Sequence, residues 1–287
     1  MSINPVAFEG HQVEPAIAKK PNGDGGALIK RWRERRHLSQ KELANAAGVS
    51  CRHISFVETG RSRASRKMVL RLCEVLDLPY RSRNSVLEAS GFEPAFTESS
   101  ATEERFKGFG LVLDNILGRN EPFPSVVLDG HWNIVKTNEA GRKLLAFLNG
   151  GNLRGVNSEP NLIRWLIDAP DLRAAVTNWN EVAVELVRKL HKKIEADGAD
   201  RVAQSLLEGL IDTIETEALA KSGGEQENSL MVPVNIRKSG MTMSFLGSSL
   251  EFEAPKDITV QELRVATLHP LCKETEEALR FLAISRL

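Results

Sequence analysis

The stretch QKELANAAGVSCRHISFVET, residues 40–59, constrains this chain more tightly than any other, because every sterically demanding place in it holds a suitable residue. Ser39 and Glu42 have capping-box spacing, which starts a helix at Gln40. Gly48 supplies the residue that a sharp turn asks for, and Ser50 then caps a second helix. Ala44 is small where the two helices touch, and Leu43, Ala47, Ile54 and Val57 form an apolar seam between them. Two short helices joined by a tight turn are predicted. One residue stands outside this buried pattern. Phe56 lies about 160–200° around the helix from Ile54, on the side of Arg52, so an aromatic ring and a guanidinium are expected to face outward together.

The charge distribution singles out the same region. The chain of 287 residues has 38 Lys and Arg against 38 Asp and Glu. Residues 26–92 hold 14 basic and 6 acidic side chains, an excess of 8, so the remainder carries the opposite excess of 8. A small basic module is joined to a larger acidic one. With 41% hydrophobic residues the chain can bury a real core and form roughly two domains. No run approaches the ~18 apolar residues of a membrane span, and the first 20 residues lack the apolar centre of a signal peptide, so a cytoplasmic protein is expected. Cys51, Cys73 and Cys272 are an odd set without Cys-x-x-Cys spacing and read as reduced thiols.

Periodicity divides the chain further. Residues 1–25, with Pro5, Pro15, Pro21 and NGDGG, read as a flexible tail, and no Gly-Lys-Ser/Thr follows to make a phosphate loop. About five short helices are expected over 26–92, then a connecting helix within 93–121, weakened by Gly108 and Gly110. Residues 122–287 read as an α+β domain with about five strands. Its opening, PSVVLDGHWNIVKTNEAGRKLLAFL, predicts two strands around a tight turn at Asp129-Gly130 and a helix capped by Asn138. A long helix follows, with Trp179, Val182, Ala183, Leu186, Val187, Leu190 and Ile194 on one stripe and Asn178 and Glu181 as a capping box. DRVAQSLLEGLIDTI repeats the stripe with Val202, Ala203, Leu206, Leu207, Leu210 and Ile211. Two strands flank the turn Ser239-Gly240, VQELRVATLH is a third, and KETEEALRFLA closes the chain as a helix.

The two-helix unit with its flanks LIKRWRERRHLSQKELA, ETGRSRAS and VLRLCEVLDLP resembles the Cro/phage-repressor-like (XRE) family of helix-turn-helix domains over about residues 27–92. That resemblance implies an all-α, five-helix, lambda-repressor-like fold that binds a double-stranded DNA operator, with the helix from Ser50 to Glu58 in the major groove. Cys51, Arg52 and Phe56 match base-reading positions, with Ser50 and Ser55 on the same DNA-facing side. Gln40 matches a position that binds backbone phosphate. Arg61, Ser62 and Arg63, with Ser65, are expected along the backbone or minor groove. Physically, Arg52 can donate two bonds to guanine and Phe56 can meet a thymine methyl group. The alternatives are a phosphate contact for Arg52 and packing of Phe56 on the 61–65 loop. His53 is expected to stay solvated. Domains of this kind act as homodimers on inverted half-sites.

The stretches PFPSVVLDGHWNIVKTNEAGRKLL, NLIRWLIDAPDLRAAVTNWNEVA and APKDITVQELRVATLHPLCKETEEAL resemble the MmyB-like ligand-binding domain of helix-turn-helix regulators over most of residues 95–287. The resemblance implies a PAS-like fold with an antiparallel sheet and a pocket for a small apolar ligand such as a fatty acid. Candidate lining residues are Trp132, Trp165, Trp179, Met241, Met243 and Phe245, for which plain core is the competing reading. Two further readings stay open. Cys51, at the start of the recognition helix, could act as an oxidation switch. Alternatively, Phe106, Phe109, Leu111 and Leu113 could bind a protein partner, as in an adaptor or antitoxin, or serve as a dimer seam. Catalysis has little support: His131, His191 and His269 are scattered, Asp129 and Glu262 form no evident pair, and neither a His-Glu-x-x-His nor a Gly-x-Ser-x-Gly motif occurs. No metal or cofactor is implied.

Overall fold

The computed structural model describes residues 25–98, 104–150, 161–197, 200–214, 231–252 and 257–284. The expectations for the N-terminal tail and for Phe106 as a contact residue fall outside the described positions or side chains. The chain divides into two compact units, residues 1–108 and 109–287. Among the described residues no helix is long and apolar enough to cross a membrane.

The first unit is built from α1 (Gly25–Arg35), α2 (Gln40–Ala47), α3 (Cys51–Glu58), α4 (Arg66–Val75) and α5 (Tyr80–Ala89). Local chemistry sets its boundaries. Ser39 accepts from the Glu42 N–H while the Glu42 carboxylate accepts from the Ser39 N–H, the predicted capping box. Hydrogen bonding from the Ser39 backbone N–H first, and from the Ser39 side chain second, holds the Glu42 carboxyl below the usual carboxylate range. Gly48 ends α2 at φ 65°, in the left-handed region that a Cβ disfavours. Ser50 and Ser65 cap α3 and α4 through the N–H groups of His53 and Met68. The core joins Ile29 and Trp32 of α1 to Leu43, Ala44, Ala47, Ile54, Val57, Leu72 and Leu87. Helices α1 and α3 pack so closely that a Cβ on Gly26 would meet the Val57 carbonyl at 2.0 Å. Residues 92–98 fold back on α5. There the Tyr80 and Phe96 rings stack 4.1 Å apart, and Asn84 accepts from the Ala95 and Phe96 N–H groups.

The second unit has a five-stranded antiparallel sheet in the order β2-β1-β5-β4-β3, formed by β1 (Ser125–Leu128), β2 (Ile134–Thr137), β3 (Val234–Lys238), β4 (Met241–Glu251) and β5 (Arg264–Pro270). Strands β3 and β4 meet at Ser239 and Gly240, both at positive φ, the geometry a two-residue hairpin requires. Helices α7 (Glu139–Leu148), α8 (Leu162–Asp168), α9 (Pro170–Ala175), α10 (Trp179–Asp197), α11 (Arg201–Ile211) and α13 (Lys273–Ile284) contribute to two apolar clusters on the sheet. One cluster joins Leu128, Trp132 and Ile134 to α8, α10 and α11. The other joins Ile236, Met243 and Phe245 to α7, α9 and α13. On the opposite face Ser125, Val127, Val265 and Thr267 are also buried. Helix α6 (Glu104–Arg119) leads to that face: Leu113 and Leu117 are buried, and Asn120 just beyond the helix donates to the Ser125 and Thr267 hydroxyls.

Four local expectations are corrected. VQELRVATLH is not one strand: the Asp257 carboxylate accepts from the Thr259 and Val260 N–H groups and starts a short helix, α12 (Ile258–Glu262), so Glu262 is helical and β5 begins at Arg264. Asn178 does not form a capping box. Its carboxamide oxygen accepts from Asn235 N and its nitrogen donates to Pro233 O and Glu181 Oε2, which ties the start of α10 to β3. The turn after β1 spans Asp129 to Asn133 with Trp132 in the left-handed region. Val202 is exposed, while Ala203, Leu206 and Leu210 form the buried stripe of α11.

Candidate nucleic-acid interface

Helix α3 turns Ile54, Val57 and Glu58 inward, which leaves its other face for a partner. Cys51 and Arg52 are exposed, and His53, Ser55 and Phe56 are half-buried. The Arg52 guanidinium carbon lies 5.1 Å from the centre of the Phe56 ring, a cation–π pair at i,i+4. The ring lies beside the arginine that the sequence set next to it, and the 61–65 loop touches Phe56 through the backbone bond from Ser62 N to Phe56 O. Arg61 and Arg63 are exposed beyond α3, and Ser62 is half-buried. Ser50 and Ser65 use their hydroxyls as caps, so these two hold helices in place before they meet any ligand. Arg52 and Phe56 together present a cation and an apolar edge, the two chemistries that distinguish guanine and thymine in the major groove.

The scaffold behind α3 is stiff. Glu58, at the inner end of the helix, takes two bonds from Arg33 of α1, at 2.6 Å to Nε and 2.9 Å to Nη2. Arg33 also donates to Leu38 O, and both side chains are buried. The hydrogen bond to Glu58, first, and its charge raise the Arg33 pKa against the opposing effect of burial. Gln40, at the start of α2, donates to Glu58 Oε2 at 2.8 Å, leaving a second amide hydrogen for a phosphate. This triad fixes α1, α2 and α3 relative to one another. Gln40 is a sequence candidate for a phosphate contact, and Arg33 and Glu58 are not among the candidates. Arg33 is four residues from Ile29 on the buried stripe of α1, a charge that could be seen to need a partner, though not which one.

In the second unit the six candidate lining residues are distributed over the two apolar clusters. Trp132 and Trp179 belong with the first, Met241, Met243 and Phe245 with the second, and Trp165 borders both. Met243 and Phe245 are completely buried. Trp179 donates from its indole N–H to Thr213 O and lines an open cleft of about 580 Å³ together with Arg173, Thr177 and Asn178. That cleft is largely polar at its rim, and the other five candidates do not line it.

Residues 26–84 match a helix-turn-helix domain family, and residues 112–282 match the family described as MmyB-like transcription regulator ligand binding domain. The ImmF control region 10 kDa protein of Bacillus phage phi105 is 35% identical over 74 residues, spanning 24% of this chain and 82% of the phage protein. The XRE-like character of the first unit and the ligand-binding class of the second, both expected from the sequence, are supported by these matches. The protein is a DNA-binding transcription regulator with a ligand-binding domain, and the chain belongs to the MmyB-like family of helix-turn-helix regulators.

Proposed function

We propose that the protein binds one operator sequence as a homodimer and that a small apolar ligand, fatty-acid-like in character, changes its DNA affinity from the C-terminal domain. The observation that carries the DNA-reading half is the outward pair Arg52 and Phe56 on a helix locked from behind by Arg33, Glu58 and Gln40. Cys51, Ser50 and Ser55 border that pair, with Gln40, Arg61, Ser62 and Arg63 as the backbone-contacting set. The dimer is supported by apolar side chains left outward on the second unit: Leu111 and Val112 of α6 are 67% and 47% exposed, and Leu250 of β4 is 46% exposed near the Phe109–Phe252 ring contact. The ligand half rests on the family match and on the apolar clusters that hold Trp132, Trp165, Trp179, Met241, Met243 and Phe245.

Selection of duplexes from a random library, followed by binding titrations across salt, tests the DNA reading. One sequence should bind about 10³-fold or more tighter than random DNA, and equal affinity for both would end the reading. Organic extraction of the purified full chain followed by mass spectrometry should release a fatty acid or related lipid. A second reading is favoured by one observation: Cys51 is exposed at the first position of α3. If oxidation is the switch, Cys51→Ser should abolish peroxide sensitivity of operator binding. Retained sensitivity excludes it.

A further inference from the structure

Arg264 opens β5, opposite Leu128 of β1 and Glu251 of β4. Its guanidinium carbon lies over the indole of Trp132, 4.4 Å from the ring centre, a cation–π contact. Its Nη2 is sealed from solvent and has no hydrogen-bond partner among the described residues. A buried donor without an acceptor is rare, because leaving it so costs much of its hydration free energy. Two acids whose charge reaches the guanidinium do not satisfy Nη2. Asp129 and Glu251 act on the guanidinium only through their charge. The Asp129 carboxylate is committed to its own turn, accepting from His131 N at 2.8 Å, Asn133 N at 2.9 Å and Asn133 Nδ2 at 2.8 Å.

The platform beneath Arg264 is fixed rather than incidental. Trp132 holds φ 64°, a left-handed backbone that a bulky residue adopts only when its surroundings over-determine it. The Asp129 carboxylate holds the N–H groups of His131 and Asn133, and the Asp129 carbonyl accepts from Trp132 N. From the other direction Asn161 donates to His131 O and to Asn133 Oδ1, and Leu162 N donates to Trp132 O. Trp132 itself belongs to the apolar cluster with Leu128, Ile163, Val184 and Val187. A guanidinium stacked on a ring keeps its N–H edge free in the plane of the stack, which suits a planar two-oxygen acceptor.

We propose that Arg264 is the anion anchor of the C-terminal domain, taking the carboxylate of an apolar acid whose tail lies against the cluster around Trp132. This deepens the apolar-ligand reading and rests on it, by assigning the head group a single cation. A singly charged carboxylate would give Nη2 the acceptor it lacks among the described residues.

The test is calorimetric titration of the delipidated full chain with myristate and with the alcohol of the same chain length, for the parent protein and for Arg264→Gln and Arg264→Lys. The parent should bind the acid at least about 10-fold tighter than the alcohol. Arg264→Gln should lose that preference by weakening the acid alone, and Arg264→Lys should keep part of it. Equal affinity of the parent for acid and alcohol overturns the anchor while leaving the apolar pocket standing, and so does an acid preference that survives Arg264→Gln. If neither compound binds the parent, the apolar-ligand reading fails and the anchor falls with it. The comparison of acid with alcohol on the parent needs no variant to fold.

Discussion

Each unit draws an arginine inward, Arg33 buried and Arg264 half-buried, and partners it in an opposite way. In the helical unit Arg33 is fully engaged, with Glu58 and Leu38 O as acceptors and Gln40 bonded to the same carboxylate. In the sheet unit Arg264 has an aromatic ring beneath it and a sealed nitrogen without an acceptor among the described residues. Hydrogen bonding raises the pKa of the first guanidinium, whereas burial lowers that of the second. A satisfied buried pair holds structure in place. An unsatisfied one leaves a donor open to an acceptor from outside the described residues, so the contrast sets a helical scaffold tied together from within against the ligand domain proposed to be completed on binding.

The largest expected effect tests that contrast directly. Glu58→Ala leaves Arg33 as an uncompensated buried charge and should cost about 3–5 kcal/mol, seen as early loss of the helical unit in urea denaturation. Arg264→Met removes both an unsatisfied donor and a cation–π contact, so the ligand-free protein should stay within about 1 kcal/mol of the parent. Similar costs for the two variants would break the comparison.

Next comes the surface proposed to face DNA. Arg52→Ala should weaken operator binding by about 1–3 kcal/mol with little effect on random duplexes. Arg61→Ala should weaken both alike and reduce the salt slope by about one unit. A uniform loss from Arg52→Ala would move that residue from base to backbone contact. Ser50→Ala removes the cap of α3 and should cost about 1 kcal/mol of stability, read from the same urea curves.

The smallest perturbation is chemical. Burial pushes the Cys73 thiol up to about 12, while Cys51 and Cys272 are exposed. Iodoacetamide at neutral pH should therefore modify Cys51 and Cys272 and spare Cys73 in the folded protein, as peptide mapping would reveal. Rapid modification of Cys73 would mean that the helical core opens far more readily than its packing implies.

Much of the helical unit was legible because its determinants are local. Ser39, Glu42, Gly48 and Ser50 act within a few residues of themselves, and the Arg52–Phe56 pair is one helical turn long. The Arg33–Glu58 pair joins residues 25 apart, and nothing in either neighbourhood names the other. In the sheet unit the hairpin at Ser239-Gly240 was equally local. The beginning of β5 was not, because Asp257 diverts the chain into a helical turn before the strand. Arg264 carries no local signal, for a physical reason. In LRVATLH it occupies the alternate position that would face water in a sheet covered on one side, yet here both faces are covered: Val127 and Leu128 are adjacent in β1 and both buried. Alternation then no longer separates inside from outside. The six lining candidates were legible as apolar, but residue type alone cannot divide them between the two clusters in which they lie.

Coupling between the ligand domain and DNA is the central claim, and one titration addresses it. Delipidated protein bound to its selected, fluorescently labelled operator is titrated with myristate, while calorimetry on the same sample reports whether the acid binds. The account predicts a change in operator affinity of about 5-fold or more as the acid saturates, with binding to scrambled DNA unaffected. Saturation with myristate and an unchanged operator affinity would contradict it.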